Sequence, residues 1–401
     1  MITLNNIKEA KKNLENIAVN TPLAKAPILS KELNAEIFLK KENLQLTGSF
    51  KLRGAFNKVA TLTKEQKDSG VVAASAGNHA QGLAFAAQHF SCEATIFMPE
   101  ATPLTKVSGV RSYGAQVVLI GENFDEAYEA AIKFAQENDK EFIHPFADDE
   151  VIAGQGTIAL EILEEIKDLD RIIVPIGGGG LISGIAIAAK AINPNIKITG
   201  VVASGAKGMK DSFESRMPID SVTVRTIADG IAVRDVTPKL LDIILEYVDE
   251  IVEVTDNETA NAILFLLEKH KLMVEGAGAV ATAALMHGKV DIENSKVCAI
   301  VSGGNIDVTM LSLIIEKGLV KSNRKMNLIV TLMDKPGALM LLTEVFTKSS
   351  ANIVQIDYDR KSVKLEFGEA HVTISLETKG EEHQKLIREN LKQSGFRFKQ
   401  I

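Results

Sequence analysis

One lysine of the sequence lies in an apolar setting where its amine could do chemistry. Lys51 stands between Phe50 and Leu52 in TGSFKLRGA, residues 47–55, whose apolar residues have a helix-like spacing after a Ser/Gly opening. Most lysines face water, and a lysine is rarely buried unless it is paired or functional. An amine held in a pocket can link covalently to a carbonyl group or act as a base. Lys51 is therefore the candidate catalytic residue, and a water-facing side chain is the alternative.

Four consecutive glycines, Gly177–Gly180, form a second motif. They follow the strand-like run RIIVPI and precede the helical pattern LISGIAIAAKAI. Consecutive glycines let several backbone N–H groups point at one anion, and the next helix adds its positive N-terminal end. Ile182 and Ser183 stand where GxGxxG would need a third glycine, and the Lys and Ser/Thr of a P-loop are missing. The motif predicts a phosphate site in preference to a flexible surface turn.

A further turn lies between the strand-like VVA and another helical pattern. It consists of Ser75, Ala76, Gly77, Asn78 and His79. Such turns gather at the carboxyl edge of a parallel sheet, where open α/β sheets bind ligands. The turn is predicted to bind a substrate carboxylate. Simple helix capping by the serine or the asparagine is the alternative.

The stretch SGGN, Ser302–Asn305, follows the apolar run KVCAIV. A hydroxyl group at Ser302 could hydrogen-bond a nitrogen of a heterocycle. Together with Lys51, the glycine turn and the carboxylate turn, this serine indicates a phosphorylated aldehyde cofactor attached to a lysine. The cofactor with those properties is pyridoxal phosphate.

The order of strand and helix patterns predicts the fold class that would position these residues. Short β-branched runs alternate with longer helical patterns through most of the chain, which indicates an α/β protein with parallel sheets covered on both faces. The pattern stops and resumes, so two such sheets are expected. From residue 327 the order is strand, helix, strand, strand, helix, strand, which is the ferredoxin-like arrangement.

Composition excludes several classes of protein. The 401 residues carry a net charge of −7 with no long basic run, so no nucleic-acid partner is expected. Neither a leader-like apolar segment nor an apolar stretch long enough to span a bilayer occurs, which predicts a cytoplasmic protein with no membrane partner. The two cysteines and seven histidines have no ligand-like spacing, so neither a disulfide nor a metal site is predicted.

The motifs KENLQLTGSFKLRGA, SAGNHAQG, GGGGL and SGGN resemble, in order, those of the threonine dehydratases (threonine ammonia-lyases). These belong to the tryptophan-synthase-β-like, fold-type II group of pyridoxal-phosphate enzymes, and the C-terminal part resembles an ACT domain. The resemblance implies a catalytic region at 1–320, with a small domain of about 42–145 inserted in a large domain of 1–41 plus 146–320. A linker at 321–326 and an ACT domain at 327–401 would follow.

The resemblance also implies roles for individual residues. Lys51 would carry the cofactor and remove the α-proton of the substrate. The implied cofactor-binding residues are Phe50 beside the ring, Asn78 at the ring 3′ oxygen, Gly177, Gly178, Gly179, Gly180 and Leu181 at the phosphate, Glu275 near the ring and Ser302 at the ring nitrogen.

Two departures from the related serine racemases narrow the expected activity. Those enzymes have a second serine as base where this chain has Ala76, so racemisation is expected to be weak. Ala203 and Met209 replace metal-binding carboxylates of the racemase-like members, so no divalent cation is expected there.

The implied reaction is elimination of L-threonine to 2-oxobutanoate and ammonia, with L-serine as a poorer substrate. A serine dehydratase, a threonine synthase or a cysteine-synthase-like enzyme is the alternative among enzymes, and a non-catalytic amino-acid sensor is the alternative outside them. Isoleucine or valine is expected to bind the ACT-like region, with a purely oligomerising domain as the alternative; the chain is expected to form a homodimer or homotetramer. The implied effector residues are Asp334, Gly337, Ala338 and Asn352.

Overall fold

The computed structural model describes residues 2–361 and 365–401. These residues form two compact units, one ending at Asp307 and the other running from Val308 to Ile401.

The described residues of the first unit form ten strands and thirteen α-helices. The strands are Leu23–Lys25 (β1), Glu36–Lys40 (β2), Val71–Ala74 (β3), Ala94–Met98 (β4), Gln116–Leu119 (β5), Glu141–Phe142 (β6), Arg171–Pro175 (β7), Lys197–Ala203 (β8), Glu250–Val254 (β9) and Lys296–Ile300 (β10). The helices are Leu4–Asn13 (α1), Pro27–Glu32 (α2), Lys51–Thr61 (α3), Lys64–Ser69 (α4), Asn78–His89 (α5), Leu104–Arg111 (α6), Phe124–Glu137 (α7), Asp149–Glu165 (α8), Gly180–Ile192 (α9), Gly208–Ser215 (α10), Pro238–Tyr247 (α11), Asp256–Phe265 (α12) and Gly276–Met286 (α13).

The larger sheet has six strands in the order β1-β2-β10-β7-β8-β9. All neighbours are parallel except the edge strand β1, which is antiparallel to β2. Every residue of β7 is buried, as expected for a parallel strand with helices on both faces. The helix α9 is buried from Gly180 to Ala189 and packs in the same apolar core.

The smaller sheet has four parallel strands in the order β5-β4-β3-β6. Its central strands β3 and β4 are buried along their whole length, and α5 and α7 contribute apolar residues to the cores beside them. The predicted α/β class with two sheets of parallel strands is confirmed.

Three strands end where the sequence motifs begin. β3 leads into the turn at Ser75–Gly77 and then α5, β7 leads into the four glycines and then α9, and β10 leads into Ser302. The segment before α3 joins this edge, because Ser49 pairs with Gly303 as an isolated bridge. The fold therefore gathers all four motifs around the carboxyl ends of the two sheets.

The second unit contains the helix Val308–Lys321 (α14) followed by Lys325–Met333 (β11), Ala338–Lys348 (α15), Asn352–Asp359 (β12), Glu369–Glu377 (β13), Glu381–Gln393 (α16) and Arg397–Gln400 (β14). The four strands form an antiparallel sheet in the order β12-β13-β11-β14. β11 and β13 alternate buried and half-buried residues, so one face packs against α15 and α16. The strand and helix order from residue 327 is the expected one.

The helix α14 groups with the second unit, whereas the sequence analysis placed it at the end of the catalytic region. Little separates it from the sheet, because α14 ends at Lys321 and β11 begins at Lys325. The domain boundaries proposed from the motifs therefore stay predictions. In the part of the chain that the structure describes, no helix combines the length and apolar character needed to cross a membrane.

Candidate active site

A cavity of about 1120 Å³ opens between the two sheets of the first unit. Residues from all four motifs line it. The predicted catalytic, cofactor-binding and substrate-binding residues that line it are Phe50, Lys51, Ser75, Ala76, Gly77, Asn78, Gly177, Gly178, Gly179, Gly180, Leu181, Glu275 and Ser302.

Lys51 is the first residue of α3 and faces the cavity. The backbone before it is held in place, because the Phe50 N–H donates to the Ser302 carbonyl oxygen over 3.1 Å. Burial lowers the pKa of the Lys51 amine, although the negative charges of Glu275 and Asp229 act against that shift. A lowered pKa raises the fraction of neutral amine, which is the form that attacks a carbonyl group or accepts a proton.

The glycine turn has no room for side chains. A Cβ on Gly178 would lie 2.4 Å from the ring of Phe146, and a Cβ on Gly180 would lie 2.6 Å from the Phe146 carbonyl oxygen. Gly179 has a φ of +97°, a conformation that glycine adopts without strain. The four glycines and Leu181, at the N-terminus of α9, line the cavity, and a glycine turn before a helix suits a phosphate group.

Asn78 and Glu275 form a buried polar pair on the cavity wall. The Asn78 Nδ2 donates to Glu275 Oε1 over 2.7 Å, and the two residues are 8% and 5% exposed. Burial and the nearby charge of Asp229 raise the pKa of Glu275 to about 7, while Asn78, Lys51 and Lys106 oppose the increase. Glu275 therefore changes charge near neutral pH.

Ser302 presents a buried hydroxyl group at the end of β10. Its Oγ donates to the Ala277 carbonyl oxygen over 3.3 Å, and the residue is 2% exposed. A hydroxyl group can donate or accept a hydrogen bond without carrying charge. This serine suits a heterocycle nitrogen that is not held as a full cation.

His79 is the predicted site residue whose side chain does not line the cavity. Its ring is 1% exposed and its Nε2 lies 3.0 Å from the Ile143 carbonyl oxygen. Burial and the positive charge of Lys51 lower the pKa of His79 to about 3, so the ring is neutral. The side chain supports the turn at Ser75–Asn78 from behind.

Several cavity residues were missed by the sequence analysis. Asp229, in the helical turn Asp229–Ile231, accepts a hydrogen bond of 2.9 Å from Lys106 at the start of α6. His144 also lines the cavity, and its Nδ1 accepts from the Ala147 N–H over 2.9 Å. Asn305, the last residue of the SGGN motif, also lines the cavity, and its sequence context alone indicates no role for it.

The predicted effector residues lie in the second unit and do not meet within one chain. Asp334 follows the end of β11 and accepts a hydrogen bond of 3.0 Å from Tyr358. Asn352 pairs with Glu377, which pairs with Lys325 at the other end of β11. At ~3.3 Å per residue the two ends of this strand are roughly 25 Å apart. Gly337 and Ala338 begin α15 on the Asp334 side.

Residues 2–361 and 365–401 contain no group of three or more His, Cys, Asp or Glu side chains that could hold a metal ion. Met209 is buried at the start of α10, and Ala203 is the last residue of β8.

Comparison with known proteins agrees with the geometry of the site. The family description "Pyridoxal-phosphate dependent enzyme" matches residues 14–303. The chain therefore belongs to the pyridoxal-phosphate-dependent enzymes, and the predicted cofactor is confirmed.

Relatives of this chain include an L-threonine ammonia-lyase of Thermotoga maritima, which is 47% identical over 396 residues, or 99% of this chain and 98% of that protein. The processed form of threonine deaminase isoform 2 from Solanum lycopersicum is 38% identical, with a TM-score of 0.73 over 78% of this chain and 88% of that one. Maize serine racemase is 34% identical, with a TM-score of 0.75 over 80% of this chain and 99% of that one. The resemblance to threonine dehydratases read from the motifs is confirmed.

The charges around Glu275 predict opposite effects of two substitutions that break the same ion pair. Asp229→Asn removes a negative charge that raises the pKa of Glu275, so the titration of Glu275 should move to lower pH. Lys106→Met removes a positive charge that lowers this pKa, so the titration should move to higher pH. Profiles of kcat/KM against pH between about 5.5 and 9 would measure both shifts, since they report the ionisation of free enzyme.

Asp68→Asn, at an exposed position of α4, is the control and should leave the profile unchanged. If Asp229→Asn and Lys106→Met moved the profile in the same direction, loss of the ion pair itself would explain the result, and the electrostatic account of Glu275 would be wrong.

Proposed function

We propose that this protein is an L-threonine ammonia-lyase, which converts L-threonine to 2-oxobutanoate and ammonia. L-Serine, giving pyruvate, is proposed as a poorer substrate. The observation that carries the proposal is one cavity that brings together a partly buried lysine amine, a glycine turn open to a phosphate, and an uncharged serine hydroxyl group. The relatives named as threonine ammonia-lyases and deaminases support the choice of substrate.

The residues on the cavity wall fit pyridoxal phosphate. Lys51 would attach to the cofactor aldehyde, with Phe50 beside the ring. Gly177–Gly180 and Leu181 would hold the phosphate, and Ser302 would meet the ring nitrogen. When bound, the cofactor supplies an electron sink that weakens the bonds at the substrate α carbon.

Lys51 is the proposed base of the reaction. Its ε-amine faces the cavity, where it would take the α-proton of a bound substrate. Burial lowers the pKa of this amine, so at neutral pH a larger fraction of it is neutral than for an exposed lysine, and only the neutral amine can accept a proton. Glu275 and Asp229 stabilise the positive charge that Lys51 then carries.

The turn at Ser75–Asn78 is the proposed site of the substrate carboxylate. It lies at the N-terminus of α5, where backbone N–H groups and the helix dipole favour an anion. Ala76 puts a methyl group where a racemase would need a second base. Elimination is therefore proposed to be faster than racemisation.

The region 327–401 is proposed to be an ACT domain that binds isoleucine or valine, joined by a linker at 321–326 to a catalytic region whose small domain covers about 42–145. The element order and the turn at Asp334–Ala338 support this assignment. Because Asn352 lies at the far end of the sheet from Asp334, an effector that touches both needs a second copy of the domain. We accordingly propose that the protein forms a homodimer or homotetramer. We also propose that it is located in the cytoplasm.

One set of assays tests substrate and effector together. Purified holoenzyme given L-threonine should release 2-oxobutanoate and ammonia in equal amounts, without a thiol or a phosphorylated amino acid, and more slowly release pyruvate from L-serine. Isoleucine or valine should change the apparent affinity for threonine by roughly 5- to 150-fold. Asp334→Asn should weaken that response.

Other outcomes would point to other functions. Product formation only with an added thiol or phosphorylated substrate would assign the chain to the synthases. If L-serine were converted to D-serine faster than to pyruvate, the proposal that Ala76 disfavours racemisation would be wrong. Normal turnover with no response to either amino acid would favour a purely oligomerising C-terminal domain, and a preparation with neither cofactor nor turnover would favour a sensor.

A further inference from the structure

A chain of hydrogen bonds runs along the cavity wall from a backbone carbonyl to Glu275. The Asn305 Nδ2 donates to the Thr47 carbonyl oxygen over 2.8 Å and to Asn78 Oδ1 over 2.6 Å. The Asn78 Nδ2 then donates to Glu275 Oε1 over 2.7 Å. Three side chains from distant parts of the sequence are thus linked, and Asn305 and Asn78 each donate to the next group toward Glu275.

The backbone carbonyl sets that direction. A carbonyl oxygen can only accept, so Asn305 must turn its NH₂ group toward Thr47, and the same NH₂ group faces Asn78. Asn78 must then present its oxygen to Asn305 and its own NH₂ group to Glu275. One of the two Asn78 N–H bonds is used by Glu275, which leaves the other for a ligand in the cavity.

The position of Asn305 is itself well defined. A Cβ on Gly48 would lie 2.5 Å from Asn305 Oδ1, so the amide packs directly against the backbone there. The Gly304 N–H donates to the Gly48 carbonyl oxygen over 2.8 Å, which ties the two segments together. Asn305 therefore has little freedom to rotate.

Glu275 alone would not keep Asn78 in one orientation. An ionised carboxylate only accepts hydrogen bonds and draws the NH₂ group of Asn78 toward it, whereas a protonated carboxyl group can donate to the amide oxygen instead. The pKa of Glu275 is raised to about 7, and the charged groups that act on it are Lys51 on α3, Asp229 on the neighbouring turn and Lys106 on α6. Both forms of Glu275 are therefore populated near neutral pH.

We propose that Asn305 is a positioning residue that keeps the Asn78 NH₂ group directed at Glu275 and the cavity whether Glu275 is ionised or protonated. The proposal rests on the proposed role of Asn78 as a donor to the ring oxygen of pyridoxal phosphate. Its consequence is that cofactor binding through Asn78 stays constant across neutral pH.

Asn305→Ala tests the proposal, because it removes the side-chain amide that orients Asn78 and adds no charge. At pH 8.5 ionised Glu275 should still orient Asn78, and the cofactor dissociation constant should stay within about threefold of the wild type. At pH 6 protonated Glu275 should let the amide turn, and the constant should rise about tenfold relative to the wild type at the same pH, as for one lost hydrogen bond. Equilibrium dialysis of holoenzyme against graded pyridoxal phosphate measures both values, and the absorption band of the bound cofactor should shift at pH 6 only.

Asn305→Asp gives a different expected pattern. Its carboxylate would repel Asn78 Oδ1 at both pH values, so the loss of about tenfold should appear at pH 6 and at pH 8.5. Asn13→Asp is the matched control, because Asn13 Nδ2 donates to Asn57 Oδ1 over 2.9 Å in another pair of asparagines that does not line the cavity. Its cofactor affinity should equal that of the wild type at both pH values.

Wild-type affinity of Asn305→Ala at pH 6 would overturn the proposal, as would an equal loss at both pH values or the same pH-dependent loss in Asn13→Asp. Asn78→Ala separates this failure from failure of the proposed cofactor site. If Asn78→Ala binds the cofactor normally, the role of Asn78 is wrong; if it binds weakly while Asn305→Ala binds normally at pH 6, only the role of Asn305 is wrong.

Discussion

Lys51→Ala is expected to remove measurable threonine elimination. Loss of the base alone should lower kcat by about 10²- to 10⁴-fold, and loss of the covalent attachment to the cofactor adds to this effect. Lys106 on α6 also lines the cavity, but its amine is paired with Asp229 over 2.9 Å. Leu52 and Arg53, which follow Lys51 on α3, are buried away from the cavity. The measurement is steady-state release of 2-oxobutanoate by purified protein with excess pyridoxal phosphate.

Two further variants make this result specific. Lys51→Arg keeps a positive charge on a long side chain but cannot act as a base near neutral pH, so it should be as inactive as the alanine variant. Lys64→Ala, at an exposed position in the first turn of α4, should retain full activity. Activity of Lys51→Arg close to that of the wild type would contradict the proposed role of the amine.

Arg53→Met is expected to give the largest loss of stability. Arg53 is 1% exposed and donates to Glu42 over 2.8 Å and to Glu161 over 2.6 Å, joining α3 to the turn after β2 and to α8. Lys40 pairs with Glu161 over 2.5 Å, so two cations balance two buried carboxylates. Removal of one cation leaves a buried charge uncompensated, which costs roughly 3 to 5 kcal/mol.

The loss of stability should depend on pH. Burial acts to raise the pKa of Glu42, but Arg53, with smaller effects of Thr21 and Lys40, brings it below the usual value. Without Arg53 the effect of burial should dominate, and the folded protein should favour protonated Glu42. The penalty then grows as the pH rises through the raised pKa, so the variant should lose less stability at pH 5 than at pH 8.

Urea unfolding of the holoenzyme at both pH values measures these differences. Arg53→Met with Glu42→Gln should be more stable than Arg53→Met alone, because the uncompensated charge is removed. Lys11→Ala, which breaks an exposed ion pair with Glu164, is the control and should cost at most about 1 kcal/mol. If Arg53→Met and Lys11→Ala lowered the free energy of unfolding equally, the buried ion pairs of Arg53 would contribute little to stability.

The parts of the site that the sequence predicts well are the local ones. Gly177–Gly180 and Ser75–Gly77 each lie between a strand pattern and a helix pattern, and the ends of parallel strands meet at one edge of a sheet. Lys51 could be recognised because an unpaired lysine is unusual in an apolar run. The α/β class follows from the same alternation of strands and helices.

The parts that the sequence does not predict depend on contacts between distant residues. Asp229 lies in a segment without a motif, and its effect on Lys51 and Glu275 exists only because the fold brings them together. The side chain of His79 points to Ile143 because the small sheet packs behind its turn. The local sequence around Asp229 and His79 does not predict which way either side chain faces.

The second unit gives a further example. Asp334 and Asn352 were grouped by resemblance, but the strand β11 separates them in one chain because β12 begins at the opposite end of the sheet. The helix α14 has an apolar pattern that fits either unit, and only its packing places it with the second.

The position of the covalent bond to the cofactor tests the central claim most directly. Holoenzyme should be treated with borohydride, which reduces a carbon–nitrogen double bond to a stable single bond, and then digested so that its peptides can be analysed by mass spectrometry. The account predicts one pyridoxyl-phosphate adduct, on the ε-nitrogen of Lys51, in a peptide that includes Phe50 and Leu52 if cleavage at the modified lysine is blocked. An adduct on another lysine of a fully loaded sample, or none at all, would contradict it.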